Sequence, residues 1–342
     1  METFGALRIK WTYSTHLIDH SMAAAIAPMS NEVEPGDAVL ARIMEIGRNK
    51  EVEAADGRRT ALFPGDVIAG VIGHRYATDQ FEGCGRARGP VGHLLGMGGV
   101  CGELVSKNER VLDPTPIEWI GRLADARDMT INTRLLAGRP PTAQPPRPRT
   151  LLVVGASMNA GKTTTAAQAI RSLSGDGRRV SAAKLTGTAC RKDVAIMEDA
   201  GALRVLDFTD RGHPSTARCR RDELLRIAAD LRAQLLAEQP EFLVYEIADG
   251  ILQRETQILL ADPGFHDGID LVAYAAPDSP SCDSGVRRLR DLGYSVAAVA
   301  GPIANSPLGI EEVQASTGVP CLSGEMILAG ALLGALAPAS VA

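Results

Sequence analysis

The chemistry this chain could perform begins at a nine-residue run, Gly155-Ala156-Ser157-Met158-Asn159-Ala160-Gly161-Lys162-Thr163. It satisfies the pattern G-x-x-x-x-G-K-[ST]. In that pattern the N–H groups of a small-residue loop converge on an anion, and the following helix N-terminus adds partial positive charge. Gly155, Ser157, Asn159, Ala160, Gly161, Lys162, Thr163 and Thr164 are therefore the candidate nucleotide-binding residues. Lys162 would reach the β- and γ-phosphates and the Thr163 hydroxyl would hold Mg²⁺. A merely structural glycine turn is the competing reading, and the flanks argue against it. Apolar Leu151-Leu152-Val153-Val154 precedes the loop and helix-forming Thr164-Thr165-Ala166-Ala167-Gln168-Ala169-Ile170 follows it.

Four later segments carry further candidates. Ala183-Lys184-Leu185-Thr186-Gly187-Thr188 offers a lysine able to neutralise a transferring phosphoryl group or to fix an anionic substrate. Thr186 and Thr188 supply hydroxyls for substrate, while a surface lysine near a turn is the plainer reading of Lys184. In the polar run 207–216, Asp210 and His213 are candidates for substrate contact or general-base work, and a loop histidine also serves as a structural hydrogen-bonder. Phe242-Leu243-Val244-Tyr245-Glu246 ends in an acid placed to orient Mg²⁺, with Asp249 as its helper or as a helix cap and Arg254 as a substrate contact. Asn305 could hydrogen-bond a purine edge. The Asn-Lys-x-Asp guanine signature is missing, which favours ATP and leaves GTP open. His16 and His20 are four apart but lack a third metal ligand nearby.

These residues need elements to position them. Strands are expected at 151–154, 179–184, 203–208, 241–246, 270–275 and 295–300, and helices at 162–174, 192–200, 221–237, 252–261, 281–292 and 307–316. Such alternation predicts right-handed β-α-β units and a largely parallel sheet covered on both faces. Ligands then bind outside the carboxyl ends of the strands, where the candidates fall. The first part reads differently. Strands at 38–43, 51–54, 60–63 and 67–72, separated by Gly/Asp turns, predict a small barrel or sandwich. Two Pro-Gly-Asp copies, at 35–37 and 64–66, hint at a weak repeat. Five glycines in 92–102 mark a ligand loop or tight packing. The expected fold class is α/β: a P-loop three-layer domain over 149–342 with a mostly parallel sheet, preceded by a β-rich domain over 1–137 and a Pro-rich linker over 138–148.

Bulk properties narrow the function classes. Hydrophobic content of 45% and charged content of 23% suit a globular protein. A net charge of −5 and 4% aromatic residues argue against nucleic acid and an anionic membrane as partners. Six dispersed cysteines without a C-x-x-C pair, and an opening Met1-Glu2-Thr3 without a secretory pattern, point to reduced thiols and a cytoplasmic location. The uncharged tail after Met326 is short for a membrane span. It reads as a terminal helix packed on the body or on a partner subunit, which would make the chain a homodimer.

The loop 155–163, Lys184 with Thr186, and Glu246 followed by Ala248 and Gly250 resemble the dethiobiotin synthetase and cobyrinic acid amidase group of P-loop proteins. The same segment is similar to type B adaptor proteins of molybdopterin-guanine dinucleotide biosynthesis and to an uncharacterised dethiobiotin-synthetase-like family, some relatives of which are D-amino-acid N-acetyltransferases. The resemblance spans residues 150–325. It implies that Lys162, Thr163 and Glu246 hold Mg-ATP while Lys184 bridges the γ-phosphate and an anionic substrate. Ser157-Met158-Asn159 departs from the Thr-x-x-Gly-Val-type loop of the synthetase, and no Cys-His amidotransferase portion follows. The expected function is an Mg-ATP-dependent ligase or kinase activating a small carboxylate or amine. A nucleotide-dependent adaptor or switch and an N-acyltransferase are the alternatives.

Overall fold

Short strands closed by Gly and Asp turns build the first half of the chain, and longer β-α-β units build the second. The computed structural model describes residues 7–141, 147–332 and Gly334. The centre of the expected linker, residues 142–146, and the rest of the expected tail lie outside the described residues. The chain divides into two compact units. One comprises residues 1–139 with 187–192 and 208–218; the other comprises 140–186, 193–207 and 219–342. The division falls in the Pro-rich segment, but two segments of the second half belong to the first unit. Close backbone packing holds one of them there: a Cβ on Gly98 would run into the Ala189 carbonyl.

The first unit contains β1 (Ile9–Trp11), β2 (Ala25–Ala27), β3 (Ala38–Ile43), β4 (Glu51–Glu53), β5 (Arg59–Ala61), β6 (Val67–Ile72), β7 (Phe81–Cys84), β8 (Val91–Leu94), β9 (Val100–Lys107), β10 (Thr115–Ala124) and the short helix α1 (Thr133–Leu136). The main sheet runs β1-β6-β3-β10-β8-β9-β7, with β2 added on β10. A parallel β6–β9 pairing joins the two ends of the run between them, so β6, β3, β10, β8 and β9 form a closed ring. Closure selects the barrel over the sandwich. Val39, Ala41, Ile68, Ile72, Leu94 and Ile117 fill one core, while Ala38, Leu40, Val67, Ala69 and Leu123 pack on the other face.

The two Pro-Gly-Asp turns make equivalent bonds. Asp37 Oδ2 accepts from Glu34 N at 2.9 Å, and Asp66 Oδ2 accepts from Phe63 N at 2.7 Å. Gly36 N donates to Ile72 O and Gly65 N to Ile43 O, both at 2.8 Å. The glycines sit at φ +103° and +90°, where a side chain would be strained. The repeat is thus a local two-fold of the antiparallel β3–β6 ribbon. The glycine-rich segment 92–102 is tight packing: a Cβ on Gly92 would strike Trp119, and one on Gly99 would strike Thr12.

The second unit contains β11 (Arg149–Gly155), α2 (Lys162–Gly175), β12 (Val180–Lys184), most of α3 (Arg191–Asp199), β13 (Val205–Asp207), α4 (Arg221–Leu236), β14 (Phe242–Glu246), α5 (Arg254–Leu260), α6 (Pro263–His266), β15 (Leu271–Ala275), α7 (Ser279–Asp291), β16 (Val296–Ala300), α8 (Pro307–Thr317) and α9 (Gly324–Leu328). All six strands are parallel, in the order β13-β12-β14-β11-β15-β16. Leu151, Val153, Val180, Ala182, Val244 and Ala273 pack on one face against Ala166, Ile170 and Leu173 of α2, with Met197 and Ile327 beside them. Alternation sends Leu243 and Tyr245 to the other face. This is the expected α/β architecture with the sheet between helical layers. Every expected strand and helix of this half is present, with ends shifted by two residues or fewer. The short α6 and α9 are additions to the expected set, because helices this brief leave no periodic signal. Among the described residues no helix is long and apolar enough to cross a membrane, and none of the six cysteines is in a disulfide.

Candidate functional site

β11 is apolar because it is buried on both faces, and it delivers Gly155 to the carboxyl edge of the sheet. There the chain turns through Asn159 at φ +59° and Gly161 at φ +91° and enters α2. Asparagine tolerates the left-handed region better than most residues. Gly161 is the N-cap and offers no side-chain acceptor, so the first-turn N–H groups of α2 point at whatever occupies the loop. The loop is clasped by its neighbours. A Cβ on Gly250 would meet Ala156 O, one on Gly301 would meet Ala160 O, and Ala156 N donates to Ala275 O at 2.9 Å.

Lys162 is 6% exposed and its ammonium donates to Ser157 O at 2.6 Å, which curls the side chain back over the loop. Burial pushes its pKa down, while Glu246 and Asp249 pull the other way. Thr163 Oγ1 donates to Glu246 Oε1 at 2.8 Å. Glu246 ends β14 in register with Val153 of β11 and Lys184 of β12, so the acid and both lysines share one sheet edge. It is 1% exposed, and burial raises its pKa despite the nearby Lys184 cation.

The second carboxylate oxygen, Oε2, is buried with no hydrogen-bond partner among the described residues. Buried acceptors are ordinarily satisfied, and a cation bound beside Glu246 would satisfy this one. A carboxylate oxygen, a hydroxyl and phosphate oxygens form the donor set that Mg²⁺ takes, and Mg²⁺ needs only one or two protein ligands. The residues present therefore fit Mg²⁺. Among the described residues no group of three or more His, Cys, Asp or Glu gathers as a metal site.

Lys184 forms a short ion pair with Asp193 in the first turn of α3. Sequence reasoning missed Asp193, since nothing about a helix-initial acid nine residues on announces the pairing. Thr186 is buried; its hydroxyl accepts from Ala248 N at 2.9 Å and ties the β12 and β14 loops together. Asp249 adopts φ +61° and does not cap α5, whose cap is Gln253 accepting from Thr256 N. Arg254 donates to Cys219 O at 2.8 Å and to Glu255 Oε1 at 2.9 Å. Ser157, Asn159, Thr164 and Asn305 are exposed, Asn305 at the end of a single 3₁₀ turn after β16. Thr188, Asp210 and His213 belong to the first unit, where Asp210 lies 3.5 Å from His16 Nε2 and His213 N donates to Phe208 O. The cluster around Lys162 is built from second-unit residues.

No family model and no curated protein matches the chain. Among solved structures it is similar to the 54 kDa signal recognition particle protein of Aeropyrum pernix K1 in complex with GDP. That likeness has 20% identity and a TM-score of 0.39, covering 57% of this chain and 47% of that one. A DUF1611 family protein from Anabaena variabilis ATCC 29413 gives 16% identity and a TM-score of 0.38 over 62% of this chain and 65% of that one. The signal recognition particle receptor FtsY from Elizabethkingia anophelis gives 16% and 0.31 over 51% and 60%. The chain thus covers less than two thirds of each. At these scores the likenesses carry no functional argument. Strand order, the loop and the glycine clasp give the second unit a P-loop α/β fold.

Proposed function

We propose that the second unit binds a nucleoside triphosphate with Mg²⁺ and transfers its γ-phosphoryl group to a small-molecule carboxylate or amine, as a ligase or kinase. The observation that carries this reading is the grouping of Lys162, Thr163, Lys184 and Glu246 at one sheet edge, with Glu246 Oε2 left without a partner. The loop N–H groups and the α2 N-terminus bind and orient the phosphates. Lys162, now donating to Ser157 O, would turn to a phosphate oxygen, and Thr163 and Glu246 would hold the metal. Mg²⁺ held there would supply neutralisation of the phosphate charge. Lys184, held by Asp193, offers positive charge beside the loop to an anionic acceptor, as the resemblance to dethiobiotin synthetase implies. ATP is the proposed nucleotide, on the missing guanine signature.

One observation favours a switch as the second reading. β12 and β13 lead directly into segments 187–192 and 208–218, which belong to the first unit. In a switch, nucleotide state would act through those segments, and hydrolysis would be slow until a protein partner accelerates it.

Calorimetry with ATP and GTP in Mg²⁺ buffer, followed by an ADP-release screen over carboxylic and amino acids, separates the readings. Substrate-dependent ADP release supports the ligase or kinase. Tight nucleotide binding without any such release supports the switch. If neither nucleotide associates with the folded protein, both readings fall. Lys162→Ala should lower turnover on the order of 10³-fold, as expected for removing one group that stabilises transition-state charge.

A further inference from the structure

Tyr245 and Glu246 are consecutive on β14, so their side chains leave opposite faces of the sheet. Glu246 serves the phosphate edge, whereas Tyr245 floors a separate open cleft of about 490 Å³ between α4 and the 262–269 segment around α6. That volume lies within the range of small-molecule sites. Leu225, Ala229 and Arg232 line it from one stripe of α4, at spacing i, i+4, i+7, and Phe265 and Ile269 form the facing wall. Leu225, Phe265 and Ile269 are only half-buried, so the apolar wall is open to an occupant.

Two polar atoms at the base of this cleft are unsatisfied. Tyr245 is 3% exposed, and its Oη and Arg232 Nη1 are both buried without a hydrogen-bond partner among the described residues. The phenol and guanidinium are neighbours, but no hydrogen bond joins them. Burial pushes the phenol up to about 12, so it stays protonated and able to donate. Of the acids nearby, Asp262 pairs with Arg221 at 2.5 Å and Asp270 with Arg147 at 3.3 Å, while Asp267 on the rim is exposed to solvent. Among the described residues no carboxylate lies within 4 Å of the Arg232 guanidinium. A guanidinium nitrogen and a hydroxyl, both buried without an acceptor, call for a single anionic acceptor. Arg147 also lines the cleft but pairs with Asp270, which leaves the Arg232 guanidinium to an incoming anion, and one carboxylate matches one guanidinium. The surrounding apolar walls call for a hydrocarbon body.

We propose that this cleft binds a small apolar monocarboxylate, its carboxylate on Arg232 and Tyr245 and its hydrocarbon between Leu225, Phe265 and Ile269. The site is independent of the nucleotide reading.

The test uses the full chain and phenylacetate, with phenethylamine as the control of equal body and opposite charge. Saturable one-to-one binding of phenylacetate, followed by calorimetry or saturation-transfer NMR, is expected, with none by the amine. Arg232→Met should weaken binding about tenfold or more, as for loss of a charged hydrogen bond, and Tyr245→Phe should weaken it several-fold. Ala229→Trp, at an exposed position on the rim, should block the cleft without disturbing the fold, and it decides the question should Arg232→Met fail to fold. Lys162→Ala should bind phenylacetate like the native chain, so failure of this site and failure of the phosphate site are distinguishable. Absence of saturation up to about 10 mM, equal binding of the amine, or unchanged affinity in Ala229→Trp overturns the proposal.

Discussion

Glu246 shows how one side chain can serve two masters. Its Oε1 accepts from Thr163 while Oε2 has no partner among the described residues, and burial raises its pKa. For an acid whose folded pKa is raised, the folded state keeps a proton that the unfolded chain has lost. Stability therefore falls as pH rises from about 4.3, the ordinary glutamate value, through the folded value. Lys162, lowered by burial, works in the opposite sense: its contribution improves as pH rises toward about 10.4. Glu246→Gln should remove the first effect. Urea midpoints at pH 5, 6, 7 and 8 should show the native chain losing ground to the variant as pH rises. A constant difference across the series would contradict the buried, raised carboxyl. The same variant should still bind nucleotide while losing most of the affinity gained from Mg²⁺, measured with and without the metal.

Between residues and the whole chain lie the elements, and here legibility in the sequence is uneven. The strands of the second unit are readable because each is an apolar run bounded by turn residues, and the phosphate loop because its spacing is purely local. Asp193, Gln253 as a cap and the Arg232–Tyr245 base of the second cleft are not readable, since each partner is chosen by strand register or helix placement. The two segments that join the first unit are hidden for a similar reason: only long-range packing such as Gly98 against Ala189 reveals their allegiance. Gly301 belongs to this scale. At φ +97° and ψ −166° it occupies a region only glycine adopts readily. A Cβ there would come within 2.9 Å of Ala276 N and O and would also press on the phosphate loop at Ala160 O. Gly301→Ala should cost roughly 2–3 kcal/mol in urea unfolding and disturb nucleotide binding. Gly318→Ala, which caps α8 at φ +66° with open space around it, should cost only about 1 kcal/mol and leave binding intact. Equal losses would show that the clasp on the loop contributes nothing.

At the scale of the whole molecule, the distribution of thiols gives a global probe. Cys84, Cys101, Cys219, Cys282 and Cys321 are buried and Cys190 is half-buried, and burial pushes the Cys101 and Cys282 thiols up to about 12. A chromogenic disulfide reagent at pH 8 should therefore titrate one thiol rapidly in the native protein and six in denaturant. Rapid reaction of three or more would mean that the cores described for the two units open readily. The sheet paths add a different consequence. The first runs out at β1 and β7, of three and four residues, with the three-residue β2 alongside; the second ends at β13 and β16, of three and five. Strangers seeking to extend either sheet find only brief margins on which to zip, so the fold discourages fibril growth while its long, sticky strands stay locked in the interior.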